Sequence, residues 1–163
     1  MSEQERDAGL LGTYLQDHHA AASAGVDAFR RVAANHSRAD VRARLEAMAD
    51  QIAQDKESLE QIMELVDANR SVLKDTAARI AEKASRLKPN NRIVQRSPLS
   101  DYLELEALTG AVHMKSLLWK ALLELGNPRL DALMLQQLLD RAHEQQRQLD
   151  ELRAGSARVL AGD

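Results

Sequence analysis

The stretch ADVRARLEAMADQIAQDKESLEQIMELVDA, residues 39–68, decides the fold. Val41, Leu45, Met48, Ile52, Leu59, Ile62 and Val66 recur in steps of three and four, the period of one helix face and not of a strand; Asp55 alone breaks the row. A helix this long with a single apolar stripe needs a partner to cover it. Residues 7–35 supply one, with the row Leu11, Tyr14, His18, Ala22, Gly25, Phe29 and Val32 in the same rhythm. The few residues between the two segments force an antiparallel hairpin that turns near 36–37, with Ser37 or Asp40 as the cap of the second helix.

Working outward, a shorter helix is expected over 71–87, edged by Val72, Thr76, Ile80, Ala84 and Leu87 and ended by the breaker KPNN at 88–91. Ser97 caps and Pro98 opens a fourth helix over 98–125, since proline loses nothing in a first turn where its missing N–H would be unpaired. Gly126 stops it, and Asn127 with Pro128 repeats the signal to open a fifth helix over 128–159, whose row is Met134, Leu138, Ala142, Gln145, Leu149 and Leu152. The prediction is one all-α domain over 1–163: two long antiparallel hairpins joined by a short basic helix and packed as a four-helix bundle.

Composition agrees. Ala and Leu supply 51 of 163 residues while Tyr14, Phe29, Tyr102 and Trp119 are the whole aromatic complement, too few for a β-sandwich or barrel. The absence of cysteine excludes disulfides, thiolate metal sites and a cysteine nucleophile. Net charge is −3, but the segment from Ser71 to Ser97 carries +5. Its Lys74, Arg79, Lys83 and Arg86 fit a solvated helix face; the other reading is a surface for nucleic acid or an anionic membrane, although no aromatic there offers base stacking. The start MSEQERDAG lacks the features of a signal peptide, and no stretch reaches the apolar length of a membrane span, so the expected compartment is the cytoplasm.

Function, if it lies in the bundle, should appear as polar residues in apolar rows, because an unpaired buried polar group costs about 1–3 kcal/mol. His18 and Asp55 interrupt the first two rows and, counted across the hairpin turn, face each other. In the fourth helix the row Leu99, Leu103, Glu106, Gly110, His113 and Leu117 carries Glu106 and His113 on one face; Gln145 of the fifth is expected opposite residue 109, between them. One reading is a set of internally satisfied hydrogen-bond networks. The other is a metal site in which His18, Asp55, Glu106 and His113 hold Fe, Mn or Zn through oxygen and nitrogen.

This layout resembles the ferritin-like superfamily, a four-helix bundle with a long crossover between its helix pairs. That family's di-iron motif takes one Glu from each of two helices and Glu-x-x-His from each of the other two. Glu106 matches a lone glutamate, the first helix offers Asp17 and His18 instead, and the second has Ile52 and Asp55 at the motif spacing. Asp140 and His143 match with Asp for Glu, but the helical wheel turns them away from the row through Ala142, Gln145 and Leu149. The resemblance implies a ferritin-like bundle whose di-iron site is altered or lost, with a structural or interaction role.

His18 and His19, adjacent on a helix, point about 100° apart and do not chelate together. Tyr102, Leu105, Val112 and Trp119 form a second apolar edge of the fourth helix, destined either for the centre of the bundle or for a homodimer interface. No Gly-x-Ser-x-Gly, phosphate-binding loop or dinucleotide fingerprint occurs, which argues against an enzyme of those classes.

Overall fold

The computed structural model describes residues 3–68 and 97–162. These form α1 (Glu3–Asn35), α2 (Ala39–Leu65), α3 (Pro98–Leu125) and α4 (Ala132–Ser156), followed by a 3-10 turn, Ala157–Ala161. α1 and α2 make one antiparallel hairpin and α3 and α4 the other; the hairpins pack α1 on α3 and α2 on α4. The all-α bundle of two hairpins is thus as expected. The helix expected over 71–87, with Lys74, Arg79, Lys83 and Arg86, lies outside the described residues.

The ends of the bundle fix its topology. Near the start of α3, Asp101 accepts a hydrogen bond from the Ser37 backbone N–H in the first hairpin turn, at 3.0 Å. Past the end of α2, Asp67 pairs at 3.0 Å with Arg129 in the second turn. Residues 66 and 97 therefore lie at opposite ends, and α2 and α3 run parallel. No described helix is long and apolar enough to cross a membrane.

The helix ends follow local chemistry, with two departures from the sequence reading. Ser97 does cap α3, accepting from the Ser100 N–H, with Pro98 in the first turn; Gly126 ends the helix at φ 62°, in the left-handed region that glycine enters without a Cβ penalty. α2, however, has Arg38 in the cap position and no side-chain cap: Ser37 lies one residue before it, its N–H bound by Asp101, and Asp40 lies inside the first turn, paired with Arg38 at 2.6 Å. α4 begins at Ala132 and not at Pro128: the Asn127 side chain is spent on the Arg129 N–H of the turn, while Asp131 accepts from the N–H groups of Leu133 and Met134.

Two helix faces came out as expected. Val41, Leu45, Met48, Ile52, Asp55, Leu59 and Ile62 of α2 are buried, as are Leu138, Ala142, Gln145, Leu149 and Leu152 of α4. In α1 the buried positions are Leu15, Val26, Phe29 and Val32, so the row shifts by one residue over its first half and leaves Tyr14 exposed. α3 is turned further. Its buried edge is Tyr102, Leu105, Val112, Trp119 and Leu122, while Leu99, Leu103, Glu106, Gly110, His113 and Leu117 face outward. The reason is area: a Trp and a Tyr bury more apolar surface than a leucine row broken by a glutamate and a histidine. The Trp119 edge is thus the centre of the bundle.

Candidate functional site

Residues 20–25 of α1 read AAASAG, a run of small side chains in the middle of a long helix. Opposite them stand Ile52, Asp55 and Leu59 of α2 and Val112, Lys115 and Trp119 of α3. Large side chains on two helices facing small ones on a third leave space between them. That space is a cavity of about 280 Å³ whose wall includes His18, Ala21, Ala22, Gly25 and Phe29 from α1.

At its inner edge sits a charged network. Asp55 is 1% exposed, on a helix face otherwise made of aliphatic residues. Lys115 donates to Asp55 Oδ2, and Arg141 Nε of α4 lies 3.1 Å from Oδ1, outside hydrogen-bond geometry but well within ion-pair range. Lys115 also donates to Gln145 Oε1 at 2.5 Å, and Gln145 Nε2 donates to Gln51 Oε1 at 3.0 Å. One buried carboxylate thus faces two cations, and three of the four helices are tied through it. Burial pushes the Lys115 pKa below the usual lysine value; the attraction of Asp55 restores part of this and the charge of Arg141 opposes it.

His18 lines the cavity with its ring edge-on to Tyr14, centroids 4.6 Å apart. Burial lowers its pKa below 6.5, and the neighbouring Asp17 offsets part of the shift. Trp119 is 1% exposed and its buried indole Nε1–H has no hydrogen-bond partner among the described residues. A buried donor of this kind is normally satisfied; this one is closed off from the cavity as well as from solvent.

The four sequence-derived site residues separate. His18 and Asp55 do share one cavity wall, as the hairpin count predicted, but Asp55 is paired with Lys115 and Arg141 and not with His18. Glu106 and His113 are exposed on the outer face of α3, and His113 Nδ1 meets Gln146 Nε2 at 3.0 Å. Among the described residues, no group of three His, Cys, Asp or Glu side chains converges as a metal site would require. His19 turns away from His18 to bond Glu60 at 2.8 Å, and Asp140 and His143 are both exposed, in line with the wheel.

Gln145 is fully buried, but its partner is Lys115 and not the neighbourhood of residue 109. The later start of α4 moves the centre of the second turn about three residues along the chain, and the register across the hairpin moves with it. Lys115, Arg141 and Gln51 were missed. Lys115 could have been found: once the α3 face is taken through Val112 and Trp119, it stands three residues after one and four before the other, inside the buried edge.

The family described as "Domain of unknown function (DUF892)" matches residues 8–158, nearly the whole chain, and the chain belongs to it. No curated protein and no solved structure matches the chain.

Proposed function

We propose that this DUF892 protein is a ferritin-like bundle whose centre is closed by an ion-pair network in place of a di-iron site, and that it serves a structural or interaction role as a homodimer. The observation that carries the reading is Asp55. A carboxylate that ligates iron must offer its oxygens to the metal; this one has Lys115 on one oxygen and Arg141 beside the other. A divalent cation there would have to displace two positive charges already in place, and the repulsion would outweigh what a single carboxylate offers. The remaining donors do not fit either, with Glu106 and His113 on the outer face of α3.

Metal analysis of protein purified without chelator, beside the His18→Ala and Glu106→Ala variants, tests this. The expected result is far less than one Fe, Mn or Zn per chain, unchanged in the variants. Stoichiometric metal that the variants lose would overturn the reading in favour of a metal-handling or redox protein.

The interaction role rests on the outer face of α3. Leu99, Leu103 and Leu117 there are 46%, 52% and 42% exposed, in one row with Glu106, Gly110 and His113. An antiparallel pairing of two copies centred on Gly110 sets Leu103 across from Leu117 of the second copy and Glu106 beside its His113. A Cβ built on Gly110 meets nothing within 4 Å, so the surface is open for close approach. Light scattering is expected to give a dimer that Leu103→Glu converts to a monomer; a wild-type monomer at high concentration contradicts the pairing.

A further inference from the structure

The cavity beside the ion-pair network has a shape and polarity that the network does not need for its own sake. An apolar cavity of roughly 150 Å³ holds a benzene ring. At about 280 Å³ this one has room for a ring or a branched chain together with a short arm. Its wall is largely apolar, including Phe29, Leu59, Val112 and Leu118, which suits a hydrophobic body.

The charged residues on that wall are Asp17, Asp55, Lys56 and Lys115. Lys115 has three N–H groups and donates to two acceptors, Asp55 and Gln145, which leaves one donor over. Arg141, behind that wall, lies beside the other oxygen of Asp55, so the charges of Asp55, Lys115 and Arg141 sum to one positive charge. Lys56, also on the wall, is matched by Glu60 at 2.5 Å, and Asp17 is exposed to solvent. A lysine N–H left over among the described residues, on a network of net positive charge at the inner side of an apolar pocket, asks for a negatively charged acceptor on a hydrophobic body.

We propose that this cavity binds a small aromatic or branched aliphatic carboxylate, its hydrophobic part against the apolar wall and its carboxylate taken by Lys115. A neutral ligand of equal size fills the same space but leaves the positive charge unanswered. A carboxylate without a hydrophobic body answers the charge but leaves the wall empty.

Trp119 is the only tryptophan of the chain, so its fluorescence reports occupancy directly. Titration of the full chain with phenylacetate should give a saturable change in that emission. Phenylacetamide, neutral and of the same size, and acetate, charged but without a ring, should each bind at least about tenfold more weakly. Gly25→Leu should abolish the response while circular dichroism stays that of the wild type, because a Cβ at this position meets nothing within 4 Å and the side chain extends into free space. Lys115→Met should bring phenylacetate down to the level of phenylacetamide. No saturable response to phenylacetate, or a response that Gly25→Leu leaves intact, overturns the site. Equal affinity for phenylacetate and phenylacetamide in the wild type overturns the carboxylate assignment, and does so even if Lys115→Met fails to fold.

Discussion

His18 shows how one residue's surroundings set its behaviour. Burial holds its pKa below 6.5. The folded chain therefore sheds that proton at a pH where the unfolded chain still binds it. Through the window just below pH 6.5 the unfolded state holds more protons, so this group's contribution makes stability rise with pH and fall on acidification. His18→Asn is expected to flatten the pH dependence of urea-unfolding free energy in that window, and NMR should place the wild-type His18 titration below 6.5. A titration at or above 6.5 contradicts the half-buried setting. The residue was legible in the sequence as a break in an apolar row. The pairing of Asp55 across from it was not, because Asp55 finds its counter-charges on α3 and α4, at separations no local pattern encodes.

At the scale of elements, the sequence is informative where one apolar row dominates a helix and misleading where two compete. The stripe of α2 and the row of α4 are buried as their spacing demands. α3 presents two candidate rows, and the one with Trp119 and Tyr102 goes inside because it buries more area; Glu106 and His113 were carried outward with the losing face. In α1 the row drifts because residues 20–25 are too small to define a face, and the same smallness opens the cavity. Helix starts depend on finer chemistry still. Asp131 accepts two backbone donors and fixes where α4 begins, which in turn sets Gln145 against Lys115. Asp131→Ala is expected to cost about 1 kcal/mol in chemical denaturation, the usual worth of such a cap. A change near zero would mean that the turn around Pro128, and not the cap, fixes the start of the helix.

For the molecule as a whole, the centre of the bundle is a charged network that ties the helices together. Lys115 of α3, Arg141 and Gln145 of α4 and Asp55 of α2 join the two hairpins through the core, where most other contacts are apolar and tolerant of sliding. Such a network does not add much net stability over an apolar core, but removing one member leaves a buried charge alone, which typically costs about 3–5 kcal/mol. The most direct measurement is therefore a double-mutant cycle on Asp55→Leu and Lys115→Leu, read by chemical denaturation. The account predicts that each single variant is strongly destabilised and that the double variant recovers at least about 2 kcal/mol relative to the sum of the two. Additive losses, with no recovery in the double variant, would contradict it.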